Sequence, residues 1–392
     1  MLERIFETKS LSTMFTRTLQ LMQRPTKTLF PIKVAKMSTS EDEVMFQEFS
    51  NKCTILLNRP KALNALNLTM IRKIYPVMKQ WNFDGKDFIL IEGAGDKAFC
   101  AGGDVRAVAE SSKNREANPL SKEFFYEEYQ LNHLIATLKV PYIALIHGIT
   151  MGGGVGLSIH GHFRVASDKT LFAMPETAIG LFPDVGGTYV LSRMKDGLGM
   201  YLALTGYRLK GFDTIHAGIA THFVFSDQLP KLHASLLNLP DNPGVSKIEE
   251  VLHGYSPKTV PDFSLKRYQS QIKEHFCLSS VEEIIQSLEG DSSEWAQHTK
   301  GTMLKMSPTS LKITFEALKR GKTLSLEDCF SMEYRLSQHC MLAPDFYEGV
   351  RAVLIDKDQN PKWKPSKLEE VSEERVKSFF QQIDGVPELK LN

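Results

Sequence analysis

Two glycine clusters carry the first chemical signal in the chain: Ala98-Phe99-Cys100-Ala101-Gly102-Gly103-Asp104 and His147-Gly148-Ile149-Thr150-Met151-Gly152-Gly153-Gly154-Val155-Gly156. Each stands where an apolar, strand-like run gives way to a helical pattern. Glycine lets the backbone adopt positive φ and approach a ligand closely. Peptide N–H groups at a helix start lack internal acceptors and sit at the positive end of the helix dipole. Two such turns facing one point would form an oxyanion hole, a pair of donors for a carbonyl oxygen that becomes negative during reaction. Taken singly, either cluster reads first as a tight turn with close helix packing. Nucleotide motifs fail on spacing, because neither cluster is followed by Lys-Ser/Thr and Ile159 stands where a third dinucleotide-binding glycine would be. Gly156-Leu157-Ser158-Ile159-His160 misses the serine-hydrolase elbow at its last position, so Ser158 reads as a packing residue.

Carboxylates come next. Most isolated acids are surface charges, but Glu176 and Asp184 stand among Pro, Gly and large apolar residues in the run from Ala173 to Gly187, which points to a pocket. Glu128, in Glu123-Phe124-Phe125-Tyr126-Glu127-Glu128, reads by itself as one of several solvated acids. Cys100 has no histidine in a recognisable dyad and reads as a small buried residue. The eleven histidines show no metal-ligand spacing, and His160-Gly161-His162 reads as structural. No metal and no cofactor is expected.

The elements that must position these groups are legible as alternating runs. Thr54–Leu57, Phe88–Ile91, Tyr142–Ile146, Phe163–Ala166 and Leu171–Met174 read as buried strands. Met70, Ile71, Ile74, Met78 and Trp81 repeat at helical spacing after a cap at Asn67 or Thr69, with Pro76 as a kink. Leu131, Leu134, Ile135 and Leu138 share one face of a helix over Glu123–Lys139. Strands alternating with helices indicate an α/β fold with a partly parallel sheet, and periodicity alone favours a doubly wound one. Beyond about Pro230 the pattern becomes mainly helical, with helices over Ser310–Arg320 and Ser325–Cys340. The expected organisation is a leader over 1–40, a core over 41–230 and a helical C-terminal region over 231–392 that packs on the core.

Lys and Arg number 47 against 46 Asp and Glu, a formal net charge of +1, so no overall field recommends nucleic acid or an anionic membrane. The five cysteines are scattered without a Cys-x-x-Cys pair, which fits a reducing compartment better than a disulfide framework. No run approaches the roughly 20 apolar residues of a membrane span. Thr8 to Ser40 holds no Asp or Glu but interleaves Lys9, Arg17, Arg24, Lys27, Lys33 and Lys36 with Leu, Phe, Ser and Thr, the composition of a mitochondrial transit peptide. The chain ends in Leu389-Lys390-Leu391-Asn392, not in a peroxisomal Ser-Lys-Leu.

In order and spacing, Asn58-Arg59-Pro60 with Leu63-Asn64-Ala65-Leu66, then the Gly102-Gly103 cluster, then Gly152-Gly153-Gly154, resemble the crotonase (enoyl-CoA hydratase/isomerase) superfamily. The resemblance implies a spiral of strand-strand-helix turns instead of a doubly wound sheet. It implies an acyl-CoA ligand whose thioester oxygen is held by the backbone N–H groups of Gly103 and Gly153. Hydratases of the superfamily carry one glutamate at the position of Gly156 and another at that of Glu176, so the chain lacks half of that acid/base pair. Met174-Pro175-Glu176 through Asp184-Val185-Gly186-Gly187, and Glu348 to Pro365, resemble the branch that hydrolyses 3-hydroxyisobutyryl-CoA.

That resemblance implies thioester hydrolysis with Glu176 as nucleophile or general base, Asp184 assisting proton transfer or binding the 3-hydroxyl, and Glu128 in the substrate pocket. It implies release of 3-hydroxyisobutyrate and CoA in valine breakdown, in the mitochondrial matrix. 3-Hydroxypropionyl-CoA, one methyl smaller, is an expected second substrate, since one methyl discriminates by only about 1–3 kcal/mol. A homo-oligomer is compatible with it. The competing readings are an enoyl-CoA hydratase or isomerase, which Gly156 opposes, and an RNA-binding relative, which the balanced charge opposes.

Overall fold

The computed structural model describes residues 42–111 and 119–391. The leader expected over 1–40 lies outside the described residues. Among the described residues ten short strands form two sheets. The larger is built from β1 (Val44–Phe49), β2 (Lys52–Leu57), β3 (Phe88–Gly93), β5 (Tyr142–Ile146), β7 (Phe163–Ala166) and β10 (His222–Phe223), in that order. From β2 onward its pairs are parallel, while β1 pairs antiparallel with β2. The smaller holds β4 (Ala98–Cys100), β6 (Ile149–Met151), β8 (Leu171–Ala173) and β9 (Leu209–Lys210), the first three parallel.

Chain order explains the pairing. β3 in the large sheet is followed by β4 in the small one, then by helix; β5 and β6 repeat the step, and so do β7 and β8. This is the strand-strand-helix spiral, and the doubly wound alternative that periodicity favours is corrected. Periodicity misleads because β4, β6 and β8 have only three residues each and present no alternation to read.

The inner strands β2, β3 and β5 of the large sheet are buried on both faces, which is why they are mainly apolar runs. Ile89, Ile91, Tyr142, Ala144 and Ile146 face the main core, while Phe88, Leu90, Ile143, Leu145, Phe163 and Val165 join a second one. Helix α1 (Leu68–Asp84) starts at Asn67, whose side chain accepts from the Met70 N–H at 2.8 Å, which settles the two candidate caps. Helix α2 (Pro119–Thr137) precedes β5, and the one-turn helix α3 (Gly153–Gly156) follows β6. The second core is roofed by Leu232 and Leu236 of α4 (Leu229–Leu237) and Ile248 and Leu252 of α5 (Gly244–Tyr255).

From α4 to Ser378 the chain is mainly helical. Ser325 caps α6 (Leu326–Leu342) by accepting from the Asp328 N–H at 3.0 Å. Tyr129 and Tyr126 of α2 lie against Phe330 and Tyr334 of α6, with centroids 6.0 and 5.5 Å apart. C-terminal helix and core therefore share one apolar interior. No helix among the described residues is long and apolar enough to cross a membrane.

Candidate active site

Parallel pairing in the small sheet lines up the carboxyl ends of β4, β6 and β8, and the chain segments leaving those ends carry Gly103, Gly153 and Glu176. The first segment is braced from behind by the Asn58–Leu66 motif. Leu66 forms an isolated parallel bridge with Gly103, its N–H donating to the Gly102 carbonyl at 2.8 Å and its carbonyl accepting from the Asp104 N–H at 2.7 Å. Arg59 bonds the Asp104 carboxylate at 3.0 Å, and buried Asn64 donates to the carbonyls of Ala94 and Ala98 at 3.0 and 2.9 Å. Gly152 enters the second turn at φ 44°, a conformation that favours glycine.

A Cβ on Gly153 would lie 3.1 Å from the Gly103 amide nitrogen, so the two turns meet. Among the described residues neither the Gly103 nor the Gly153 N–H has a hydrogen-bond acceptor. Such donors, one at the start of a helix and one beside an isolated bridge, are available to an acceptor supplied from outside the chain.

Helix α2 closes the other side with one stripe of residues at four-residue spacing. Phe124 lies 2.9 Å from the Cβ position of Gly103, Glu128 2.6 Å from that of Gly153, and Asn132 2.7 Å from that of Gly156. Three glycines let one helix face approach the backbone that no side chain could. Glu176 reaches within 3.0 Å of the Cβ position of Gly152. Asp184 accepts a 2.7 Å bond from the Tyr129 hydroxyl.

Glu128, Glu176 and Asp184 are thus all buried, at 2, 6 and 6% exposure. Burial, and then the negative charges of Asp184 and Glu176, push the Glu128 carboxyl well above the ordinary range. Glu176 is pushed the same way by burial and then by Asp184. Asp184 is raised to about 6 by burial, against the opposing pull of the Tyr129 hydroxyl. Glu128 Oε1 and Glu176 Oε2 have no hydrogen-bond partner among the described residues. Acids that share a buried site, each pushed toward its protonated form, suit proton transfer around an oxyanion.

Every site residue named from the sequence falls in this cluster: Gly103, Gly153, Glu128, Glu176 and Asp184. Glu128 corrects its reading as a solvated acid. Cys100 is a buried packing residue, its thiol pushed up to about 12 by burial. Ser158 is spent on the Gly154 and Val155 carbonyls at 2.9 and 3.1 Å. His160 donates through Nε2 to the Val185 carbonyl at 2.8 Å, supporting a turn where Val185 and Gly186 take φ of 54° and 82°. A β-branched residue in the left-handed region is strained, and here it sits next to Asp184.

Three contributors escape the sequence reading: Tyr129, Asn132 and Glu333. Asn132 is fully buried with both amide atoms unpartnered, beside Gly156, and its only sequence signal is its place four residues after Glu128. Glu333 occupies a core position of α6, between Phe330 and Leu336 in helical spacing. Its carboxyl accepts from the Gly186 N–H at 2.7 Å and from the Thr188 N–H at 3.0 Å and hydroxyl, and burial raises it to about 8. It ties the C-terminal helix to the turn that carries Asp184. Glu333→Ala leaves three buried donors unpaired, so a loss of about 3 kcal/mol is expected. Urea denaturation at neutral pH measures it, and a loss under about 1 kcal/mol would remove Glu333 from this role.

The family model described as enoyl-CoA hydratase/isomerase matches residues 52–380. The chain belongs to that family. Within it, the chain is 54% identical over 352 residues to the Danio rerio protein named 3-hydroxyisobutyryl-CoA hydrolase, mitochondrial, covering 88% of this chain and 91% of that one. The Homo sapiens protein of the same name is 50% identical over 373 residues, covering 94% and 96%. Solved structures share the fold: a carnitinyl-CoA dehydratase from Mycobacterium thermoresistibile superposes with TM-score 0.82 at 36% identity, covering 89% of this chain and 99% of that one. An enoyl-CoA hydratase from Rhodobacter sphaeroides gives 0.79 at 32%, covering 89% and 100%.

Proposed function

We propose that this family member hydrolyses the thioester of 3-hydroxyisobutyryl-CoA, and of 3-hydroxypropionyl-CoA, in the mitochondrial matrix as a step of valine breakdown. The observation that carries the reading is the facing of two acceptor-free peptide N–H groups by three buried carboxyl groups. The names of the relatives supply the acyl group and the compartment.

In the reaction, Gly103 and Gly153 donate to the thioester oxygen as it gains charge. Glu176 provides the nucleophilic oxygen, its own or that of a water it deprotonates. The carbonyl carbon gains the C–O bond and loses the C–S bond, and CoA leaves as a thiolate that takes up a proton. Water enters, and the hydroxy acid and CoA thiol leave. Asp184, held by Tyr129, carries the proton, and Glu128 accepts a hydrogen bond from the 3-hydroxyl. Gly156 supports hydrolysis over hydration, because Asn132 fills the space at its Cα and the paired glutamate of a hydratase has no room there.

Release of free thiol from 3-hydroxyisobutyryl-CoA, with crotonyl-CoA as control, tests the proposal across pH. Glu176 must be ionised to act, and its pKa is raised, so the rate is expected to fall tenfold per unit on the acid side of a midpoint above the ordinary carboxylate value of about 4.3. The same elevation costs stability with the opposite trend. Asp184 is neutral in both folded and unfolded chains at low pH, and stability is lost as pH rises from 3.8 through about 6, where only the unfolded chain readily ionises it. Consumption of crotonyl-CoA without thiol release would return the chain to the hydratases.

A further inference from the structure

A second cluster of ligand-type side chains lies away from the carboxylate site, on the outer face of the large sheet. His222 belongs to edge strand β10, which pairs with β7, and Glu249 and His253 stand one turn apart on α5. One imidazole nitrogen or carboxylate oxygen from each of the three lies within 4.8 Å of the others. The His253 Nε2 and Glu249 Oε1 atoms are 3.8 Å apart, and the His222 and His253 rings are 4.8 Å apart at their centroids.

His222 Nδ1 lies 3.0 Å from the Thr221 hydroxyl oxygen, which accepts from the Arg164 N–H at 2.9 Å and lies 3.1 Å from the Arg164 carbonyl. With the hydroxyl proton on that carbonyl, Nδ1–H donates to Thr221 and the lone pair is on Nε2. That atom is buried, in a residue 6% exposed, and has no hydrogen-bond partner among the described residues. A buried acceptor with no donor is unfavourable, and a polar partner oriented through Nδ1 is how protein imidazoles are prepared for a metal.

The geometry points to a divalent transition-metal site, zinc being the natural occupant, formed by His222 Nε2, His253 and the Glu249 carboxylate. Two imidazoles and one carboxylate are a donor set for tetrahedral Zn²⁺ with water as fourth ligand, at metal–ligand distances of roughly 2.0–2.2 Å. Those distances require the three donor atoms to close to roughly 3.4 Å of one another. His222 is fixed by its strand, but the side chains of His253 and Glu249 are 64 and 50% exposed and free to turn inward. The bound ion would clamp α5 to the edge strand across the second core, where Ile248 and Leu252 pack. It takes no part in thioester chemistry.

The full chain, stripped with a chelator and dialysed, is to be titrated with ZnCl₂ by calorimetry and assayed for metal content. One Zn²⁺ per chain is expected with micromolar or tighter affinity, together with a rise in the unfolding temperature that grows with zinc concentration. His253→Gln and Glu249→Gln, both exposed and tolerant positions, are expected to weaken binding at least tenfold and to abolish that rise. His222→Asn is expected to do the same. CoA release by the zinc-free and zinc-loaded enzyme is expected to be equal. No stoichiometric uptake by the unaltered chain, or uptake undiminished in His253→Gln, would overturn the site.

Discussion

Glu176→Gln is expected to lower kcat for CoA release from 3-hydroxyisobutyryl-CoA by about a thousandfold, within the range of roughly 10²–10⁴ found for a positioned acid or base. KM should change little. The amide keeps the shape of the carboxyl, and Glu176 is already pushed toward its neutral form by burial and by Asp184, so glutamine imitates the resting protonation state without the ability to ionise. For the same reason the fold should not suffer. Removing a carboxyl that resists ionisation relieves a buried repulsion, and the unfolding temperature is expected to stay level or rise above neutral pH. A variant retaining a tenth of the activity would assign the nucleophile elsewhere in the cluster. A single turnover of the unaltered enzyme in heavy-oxygen water then bears on the two routes open to Glu176. Label in the side chain after turnover would mean attack by the carboxylate itself, whereas label only in the product fits either activated water or an anhydride opened at its acyl carbon, which trapping of an acyl-enzyme tells apart.

The parts of this site differ in how openly the sequence declares them, and the reason is physical. Gly103 and Gly153 are visible because a backbone donor exposed at a turn demands a residue without a side chain. Glu176 and Asp184 are visible because acids amid Pro183, Phe182 and Gly180 have no solvated face to occupy. Glu128 has such a face available in its local sequence, and only the seating of α2 on the glycines decides which way it turns. Asn132 and Tyr129 follow from that same seating. Glu333 is more distant still: its partners Gly186 and Thr188 precede it by 147 and 145 residues, and no local pattern announces a bond of that separation. β1 is likewise missed, because its alternating residues gain their meaning only from antiparallel pairing with β2.

Helices in the C-terminal half were easier to see than their purpose. Ser325 to Cys340 reads as a helix from spacing alone, and α6 spans Leu326–Leu342. What it does, holding the Asp184 turn through Glu333 and packing Phe330 against Tyr129, is a tertiary fact. The consequence is that the catalytic cluster depends on both halves of the chain. A change in α6 can therefore reach Asp184 along two independent contacts, one through Gly186 and one through Tyr129.

Gly153→Ala is the second change expected to be severe, with kcat falling by about 10²–10³, the effect of losing one oxyanion donor and equivalent to about 2.7–4 kcal/mol. Alanine is favourable at a helix start whose φ is ordinary, so the backbone does not resist it. The obstacle is space. The new methyl group meets Glu128 Oε1 at 2.6 Å and the Gly103 amide nitrogen at 3.1 Å. Glu128 is long enough to swing aside, but the amide is held by the Leu66 bridge and cannot. The double variant Gly153→Ala/Glu128→Ala distinguishes the two contacts. If the methyl group acts by covering the oxyanion position, it costs the same factor when added to Glu128→Ala as when added to the unaltered chain, with a normal unfolding temperature. A much smaller cost relative to Glu128→Ala alone would mean that displaced Glu128, and not a blocked N–H, was the cause. Gly154→Ala gives the contrast, since its Cβ would sit 2.1 Å from the Cys100 carbonyl, a backbone atom of β4. That change should reduce stability first and activity only as a result, whereas Gly153→Ala should leave a folded enzyme whose carbonyl-binding pocket is closed.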